Sequence, residues 1–316
     1  MKKKVAVIGG GPAGMSCALW LKYLGLYPII IEKSPQLGGL QNINPFHQKW
    51  YLGVAGKTGK ELAQEFRRHI EVEVIRTLCN SPIESIQGGE NFKICTPEHE
   101  ITTEGIVIAT GQRFKGFEAI ASIPGSDRLS SSNRICFNPG AIPMTYGQVV
   151  AVVGGGDNGL GTAIMLADTA QHIHLFIRSH LKGFGINQNK VLEYIKAGKI
   201  TLHQPANIEK MSDKGDRLCL TFQEGEKSPE TLPFDYICFR MGFAPNVEPI
   251  VQLFDAGGVG TLELNSGGYI ATDPFLRTSI PHVYAVGDVT NPRDACVATA
   301  VGHGAIAARS AEEDLR

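Results

Sequence analysis

The sequence predicts an α/β fold with two Rossmann-like dinucleotide-binding domains, the second inserted in the first. Two glycine fingerprints of the form GxGxxG carry this prediction, one beginning at Gly9 and the other at Gly154. Each follows an apolar run typical of a buried parallel strand, at residues 5–8 and 149–153. With 316 residues, 43% of them hydrophobic, the chain is long enough for two cores.

The first fingerprint contains Gly9, Gly11 and Gly14, and it also includes Pro12 and Ala13. In such a turn the first glycine permits the tight bend and the second lets the backbone approach a pyrophosphate. The third glycine packs the helix against the strand. Because the start of the next helix offers free amide groups to an anion, the pattern predicts a pyrophosphate there.

A carboxylate follows the first fingerprint at a spacing typical of dinucleotide-binding folds. A helix is predicted over residues 15–24 and a second strand over 28–31, which leads to Glu32 and Lys33. Glu32 lies 18 residues after Gly14, close to the spacing at which a carboxylate binds the ribose hydroxyl groups of a dinucleotide. We therefore expect the adenosine half of a cofactor in the N-terminal domain.

Two further segments place small residues after predicted strands, where the chain passes closely beside a bound cofactor. They contribute Ala109, Thr110, Gly111, Gly287 and Asp288. Asp288 stands at the carboxyl end of a predicted parallel strand, the edge at which open α/β sheets bind ligands. A helix is also predicted over residues 61–70, and a last helix over 297–315.

The second fingerprint restarts the βαβ pattern in the middle of the chain. Its residues are Gly154, Gly156, Asp157, Asn158 and Gly159. The predicted elements that follow are a helix to about residue 168, a strand over 172–177, a helix over 187–197 and strands between 200 and 239. Arg178 comes directly after the strand over 172–177.

Composition and charge exclude several classes of protein. Thirty basic and 31 acidic residues give a net charge of −1, without the basic footprint of a nucleic-acid-binding protein. No apolar stretch has the length of a secretory signal or a membrane span, so we expect a cytoplasmic protein with no membrane partner. The seven cysteines form no CxxC and no metal-ligand spacing, so no metal site is expected.

Taken with further motifs, these features resemble the low-molecular-weight thioredoxin reductase family. The further motifs are PQLGG at residues 35–39, GFAPN at 242–246 and AVGD at 285–288. The resemblance covers essentially the whole chain and implies a homodimer with bound FAD. It adds Gly39, Leu40 and Gln41 to the expected cofactor-binding residues. The domains it implies are an FAD domain over 1–116 and 243–316, and an inserted NAD(P)H-type domain over 117–242.

The sequence departs from that family at its redox-active cysteines. The family places a CxxC at roughly positions 137–140, where it attacks a partner disulfide and exchanges electrons with the flavin. This sequence has only Cys136 nearby, so a vicinal dithiol cannot operate. Cys136 either packs as a free thiol or acts alone or with a distant partner. It is a candidate catalytic residue, as is His303 near the start of the last helix.

The N-terminal half is more similar to the thioredoxin-reductase-like ferredoxin/flavodoxin NADP⁺ reductases, which also lack a CxxC. Residues 31–39 and 51–56 carry this similarity. In those enzymes the flavin exchanges electrons with a one-electron protein carrier. At the nucleotide site, the arginines that grip the 2′-phosphate in NADPH-dependent members are reduced to Arg178, with His180 and Lys182 nearby. NADPH, NADH and another dinucleotide such as a second FAD all stay open for the inner site.

The leading interpretation is a dimeric FAD oxidoreductase that passes electrons from NAD(P)H to an external acceptor such as ferredoxin or flavodoxin. One alternative is a disulfide oxidoreductase that acts on a thioredoxin-like partner through an unconventional cysteine site or with a non-pyridine donor. A second alternative is a flavin-binding redox sensor with little turnover.

Overall fold

The computed structural model describes residues 2–142 and 145–316, which form two compact units. The first unit contains the chain up to Arg113 and again Pro245–Arg316, and the second is Phe114–Ala244. The chain passes from the first unit to the second three residues before the first predicted domain boundary. It returns to the first unit two residues after the second predicted boundary. Both units contain a parallel sheet with helices packed on it, which confirms the predicted α/β fold class.

The elements follow the chain in this order. The strands are Lys4–Ile8 (β1), Tyr27–Ile31 (β2), Arg76–Leu78 (β3), Ser85–Gln87 (β4), Phe92–Cys95 (β5), Glu100–Thr103 (β6), Gly105–Ile108 (β7), Gln112–Phe114 (β8), Ile135–Cys136 (β9), Val149–Val153 (β10), His172–Phe176 (β11), Ile200–His203 (β12), Ala206–Asp213 (β13), Leu218–Glu224 (β14), Glu230–Phe234 (β15), Tyr236–Phe239 (β16), Phe243–Pro245 (β17) and Val283–Ala285 (β18). The α-helices are Pro12–Tyr23 (α1), Gly59–Val72 (α2), Asp157–Ala167 (α3), Gly185–Lys196 (α4), Glu248–Ala256 (α5) and Val297–Asp314 (α6).

The first unit is organised around β1, the middle strand of a parallel sheet in the order β18-β7-β1-β2-β3. Alternate side chains of β1 point to opposite faces of that sheet. Val5 and Val7 pack in the core that contains α1 and α6 residues. Ala6 and Ile8 pack in a second core with residues of β4, β5 and α5. Both faces of β1 are buried over residues 5–8, and this run is continuously apolar.

The second unit repeats this arrangement around β10. Its parallel sheet has the order β12-β11-β10-β16-β9, and β13, β14 and β15 form a separate antiparallel sheet. Val150 and Val152 pack with residues of α3 and α4. Ala151 and Val153 pack on the opposite face with residues of the antiparallel sheet. The second glycine turn therefore follows a strand buried on both faces, as the first one does.

Helix α5 was not predicted from the sequence. It has only nine residues and carries a proline in its first turn, so its helical periodicity is short. The other helices lie where the apolar patterns place them, although α1 begins at Pro12 and α4 at Gly185. Among the helices of residues 2–142 and 145–316, none combines the length and the apolar character that crossing a bilayer requires.

A histidine network connects the two sheets of the second unit. His174 Nδ1 lies 2.9 Å from His203 Nε2, and His203 Nδ1 lies 3.0 Å from Glu224 Oε2. His203 is 6% exposed, and its ring stacks on Phe176 with the centroids 4.5 Å apart. Burial, His203 and His172 lower the pKa of His174 to about 4, so this ring is neutral at pH 7.

We predict that this network makes the chain acid-sensitive. The pKa of His174 lies below its ordinary value of 6.5, so the unfolded chain binds the proton more tightly than the folded chain. Stability is therefore full above pH 6.5 and declines as the pH falls toward 4, by about 1–2 kcal/mol once solvent screening is allowed for. Thermal unfolding between pH 7 and pH 4.5 measures this decline.

The variant His174→Asn keeps a polar atom near the position of Nδ1 but does not titrate in this range. Its melting temperature should fall less steeply with acid than that of the unaltered protein. His180→Asn, at an exposed position of the same unit, serves as the control and should follow the unaltered protein. Equal acid slopes for all three proteins would contradict the assignment to His174.

Candidate functional site

The first glycine turn is tied to the strands on both sides of β1. Gly9 donates its N–H to the Ile31 carbonyl at 2.9 Å, and Ala109 donates to the Ile8 carbonyl at 2.8 Å. Gly9 has a φ of 108°, which favours glycine. A Cβ on Gly14 would collide with the Gly9 carbonyl oxygen. The turn therefore holds α1 closer to β1 than any residue with a side chain permits.

The start of α1 suits an anionic ligand. Gly11 is the N-cap residue, and no side chain caps the amide groups of the first turn. A Cβ built on Gly11 meets no heavy atom within 4 Å, so the space beside the turn is open. The predicted residues Pro12 and Ala13 form the first helical positions. Uncapped amides at the positive end of a helix, with open space before them, fit a pyrophosphate.

Glu32 is held beside this turn by two backbone hydrogen bonds. Its Oε2 accepts the N–H of Gly10 at 2.8 Å, and its Oε1 accepts the N–H of Ser34 at 2.8 Å. The residue is 8% exposed. Each oxygen keeps capacity for a second donor, so a carboxylate in a fixed orientation remains available for ribose hydroxyl groups.

Asp288 lies three residues after the end of β18 and forms a hydrogen bond with a residue of β8. Gln112 Nε2 donates to its Oδ2 at 3.0 Å. Burial raises the pKa of Asp288, and the hydrogen bond from Gln112 opposes this effect. The bond occupies one carboxylate oxygen, which leaves Asp288 able to accept a ligand hydroxyl. Gln112 was not among the residues predicted from the sequence.

Helices α1 and α6 cross at Gly304, and this crossing places His303. A Cβ on Gly304 would lie 2.6 Å from the carbonyl oxygen of Ala13, so the two backbones are in close contact. His303 Nδ1 accepts the N–H of Gly287 at 3.3 Å, and burial lowers the pKa of this histidine. His303 thus joins α6 to the residue before Asp288, and its predicted role in catalysis stays a prediction.

The other residues predicted for the first site lie in two loops. Thr110 and Asn246 exchange two hydrogen bonds of 2.8 Å, and Asn246 also donates its backbone N–H to Gly111. Asn246 thereby fixes the loop after β7, a role that the motif alone did not indicate. The residues of the second loop are Lys33 and Gly39, which are exposed, and Leu40 and Gln41, which are half-buried.

The second glycine turn repeats the hydrogen-bond frame of the first. Gly154 donates to the Phe176 carbonyl at 3.0 Å, and Arg240 donates to the Val153 carbonyl at 2.8 Å. A Cβ on Gly159 would collide with the Gly154 carbonyl oxygen. Gly156 is the uncapped N-cap residue of α3, and a Cβ there meets no heavy atom within 4 Å. This turn therefore also fits a pyrophosphate.

The side chain of Asp157 is engaged within the protein. Its Oδ1 accepts the backbone N–H of Phe184 at 2.7 Å and the Asn187 amide at 3.0 Å. It therefore joins the start of α3 to the start of α4. Asn158, in the first turn of α3, accepts a hydrogen bond from the Thr162 hydroxyl at its backbone carbonyl. Asp157 Oδ1 is therefore occupied within the protein, whereas the uncapped backbone amides of the turn are open to a ligand.

Three basic residues follow β11 beside the second turn. Arg178, His180 and Lys182 are exposed, and the backbone N–H of Lys182 donates to the Gly155 carbonyl at 2.8 Å. That bond draws the basic loop against the glycine turn. Among the ion pairs of the described residues, none involves these three side chains. The loop is thus placed to bind an additional phosphate.

Cys136 has a partner that the sequence did not indicate. Strands β9 and β16 are parallel neighbours, and their register places Cys136 opposite Cys238. The two thiols share a hydrogen bond that lowers the pKa of Cys136 and raises that of Cys238. Arg240 lies two residues beyond Cys238, and its Nη1 donates to the Phe137 carbonyl at 2.7 Å. The dithiol is therefore formed across two strands.

A comparison with known families identifies the class of protein that this arrangement belongs to. Residues 3–304 match the family model described as pyridine nucleotide-disulphide oxidoreductase. The chain belongs to this family, and it is an FAD-dependent oxidoreductase whose cofactors are FAD and a pyridine nucleotide. This confirms the resemblance to thioredoxin reductase-like flavoproteins that the motifs indicated.

Individual relatives agree with this class. The NADPH-dependent thioredoxin reductase 3 of Arabidopsis thaliana is 30% identical over 99% of this chain and 58% of its own length. The ferredoxin-NADP reductase of Limosilactobacillus fermentum is 30% identical over 98% of this chain and 93% of its own length. The fold matches Lactococcus lactis thioredoxin reductase with a TM-score of 0.85 at 24% identity, over 99% of each chain.

We predict that Glu32→Gln weakens FAD binding. A glutamine amide has one acceptor oxygen, so its NH₂ group would face one of the two backbone N–H donors that Glu32 now satisfies. Loss of the charge and of one hydrogen bond should weaken FAD binding about tenfold and destabilise the protein by about 1–3 kcal/mol. The flavin-to-protein ratio after dialysis and the melting temperature measure the two effects.

Glu71→Gln, at an exposed position of α2, makes the same chemical change away from the turn. It should retain FAD as the unaltered protein does. If both variants kept the full flavin complement, Glu32 would not be a ribose ligand.

Proposed function

We propose that this protein is an NADPH-dependent flavoprotein reductase that delivers electrons from FAD to an external one-electron carrier such as ferredoxin or flavodoxin. Bound FAD supplies the redox chemistry, because it accepts a hydride and releases electrons to the carrier. The residues of the chain bind and orient the two nucleotides. The single observation that carries the acceptor assignment is the burial of both cysteines nearest the family's CxxC position, together with the lack of a CxxC.

The assignment of FAD to the first turn rests on the carboxylates of that unit. Glu32 is oriented by two N–H groups toward the ribose position, and Asp288 retains an oxygen for a ligand hydroxyl. The uncapped amides of α1 would bind the pyrophosphate between them. The second turn has neither carboxylate arrangement, since Phe176 ends its second strand and Ile177 follows.

The choice of NADPH as donor rests on charge at the second turn. Arg178, His180 and Lys182 provide cationic or hydrogen-bonding groups close to the strand end where a dinucleotide ribose is bound. A carboxylate at this strand end would favour the 2′-hydroxyl of NADH, and the sequence has none between residues 177 and 183. This combination favours a 2′-phosphate over a second FAD.

The choice of acceptor rests on how little of the two cysteines nearest the family's CxxC position is exposed to solvent. Cys136 is 2% exposed and Cys238 is 0% exposed, so the disulfide of a thioredoxin-like partner has no access to either sulfur. Disulfide exchange requires in-line attack by an accessible thiolate. The relative named ferredoxin-NADP reductase, matched over nearly its full length, supports a protein carrier as the acceptor instead.

Two further properties belong to the same proposal. The family resemblance implies a homodimer. A reducing compartment such as the cytoplasm suits a chain whose seven cysteines all carry free thiols. Gel filtration with light scattering tests the assembly.

The acceptor assignment predicts a specific pattern of activity. With NADPH as donor, the FAD-loaded protein should reduce ferredoxin or flavodoxin but not the disulfide of thioredoxin. Alkylation of accessible thiols should leave this activity in place, because the proposed electron path uses no cysteine. Carrier reduction is followed by absorbance under anaerobic conditions. Thioredoxin reduction that is lost on alkylation would establish the disulfide oxidoreductase alternative.

The donor assignment predicts the effect of Gly156→Val. A side chain at this position meets open space, so the fold and the FAD content should be unchanged. The side chain would occupy the place of the nucleotide pyrophosphate, so anaerobic flavin reduction by NADPH should slow about a hundredfold. Stopped-flow bleaching of the flavin measures this rate.

Ala197→Val, at the exposed end of α4, is the matched control for added bulk in the same unit. NADPH should reduce the flavin of this variant at the same rate as that of the unaltered protein. If NADPH bleached the flavin of Gly156→Val at an unchanged rate, the second turn would not be the NADPH-binding site.

A further inference from the structure

Cys136, Cys238 and Arg240 form a buried cluster in the second unit that the proposed electron path does not use. Parallel neighbouring strands lie about 4.8 Å apart, and Cα atoms joined by a disulfide are usually 4.4–6.8 Å apart. Cys136 and Cys238 are register partners on such strands and lie in the same hydrophobic core. The ordinary spacing of such register partners therefore falls within the Cα range of a disulfide.

Arg240 provides the second, independent observation. The residue is 6% exposed, and within the described part of the chain its Nε and Nη2 have no hydrogen-bond partner. Its guanidinium group stacks on the Phe114 ring at 4.7 Å from the centroid. Burial lowers its pKa to about 10, so it remains a cation at neutral pH. A buried cation with two unsatisfied nitrogens calls for a nearby anion.

The two cysteines differ in the pKa of their thiols. The hydrogen bond with Cys238 lowers the pKa of Cys136, burial opposes this effect, and the charge of Arg240 lowers the pKa further. The hydrogen bond from Cys136 to the Ala141 carbonyl, 3.3 Å, favours the protonated form and moderates the effect. Cys238 is fully buried and keeps its proton. Cys136 is therefore the nucleophile of the pair, and Cys238 is the resolving thiol.

We propose that Cys136 and Cys238 form a reversible dithiol–disulfide pair that a small hydroperoxide oxidises, with Arg240 as the positioning cation. This inference goes beyond the proposed function and does not depend on it. Strand β9 has two residues and lies at the edge of its sheet, so it is the element through which a small oxidant reaches the pair during local opening.

The chemistry balances in two steps. The Cys136 thiolate attacks one peroxide oxygen, the O–O bond breaks, and the departing oxygen takes a proton from solvent, which leaves Cys136 as a sulfenic acid. The Cys238 sulfur then attacks the Cys136 sulfur, the S–O bond breaks, and the oxygen leaves as water with the thiol proton. Two thiols and one hydroperoxide give a disulfide, an alcohol or water, and a second water. An added dithiol reverses the oxidation.

The test uses hydrogen peroxide and the FAD-loaded protein, without pyridine nucleotide or acceptor. After oxidation the protein is denatured, free thiols are alkylated, and the digest is analysed by mass spectrometry without reductant. We expect the peptides of Cys136 and Cys238 to be joined and lighter by two hydrogen atoms, and dithiothreitol to separate them. If both residues remain alkylated when the partly exposed Cys296 has been oxidised, the proposal is wrong.

Variants separate the roles within the cluster. In Cys238→Ser, Cys136 should be captured as a sulfenic acid by dimedone, whereas Cys219→Ser, at another buried cysteine of the same unit, should leave the cross-link unchanged. Arg240→Met should slow cross-linking about tenfold, and Arg240→Lys should recover part of the rate, because the cation supports the thiolate. Equal rates for both Arg240 variants and the unaltered protein would remove Arg240 from the site.

Discussion

The close contact between the third glycine of each fingerprint and the carbonyl oxygen of the first is the constraint on which both nucleotide-binding turns depend. Gly14 faces Gly9 and Gly159 faces Gly154, and a Cβ at either third position would collide with that oxygen. The contact holds each helix tightly against its central strand. The uncapped helix amides are thereby fixed at the carboxyl edge of the sheet, where open α/β sheets bind ligands.

Features set by local backbone geometry were predictable from the sequence. The glycine spacing fixes the turns, and the apolar runs fix the central strands, because both faces of each strand are buried. The two anchors of Glu32, Gly10 and Ser34, belong to the turn and to the strand end that the motif already contains. The spacing of the motif therefore located the carboxylate, although its hydrogen bonds became visible only in the fold.

Features set by strand order were not predictable. Cys136 faces Cys238 only because β16 lies beside β9, and no short-range pattern records that neighbourhood. The same reason hid the pairing of Thr110 with Asn246, which joins segments far apart in the chain. Asp157 lies inside the fingerprint, and its side chain joins the starts of two helices, a contact that the motif does not indicate.

Comparison of the two hydrogen-bond frames shows one difference beside the cysteine cluster. Ala109 and Arg240 donate to equivalent strand ends, so the second unit carries a large cation where the first carries a methyl group. The Arg240 guanidinium stacks on the Phe114 ring and donates to the carbonyl of Phe137, the residue after Cys136. Burial of both sulfurs in one core would keep a macromolecular disulfide away from them. Under the two proposals, a small oxidant would avoid this steric barrier and an electron carrier would need no contact with sulfur, so the two chemistries would use different residues.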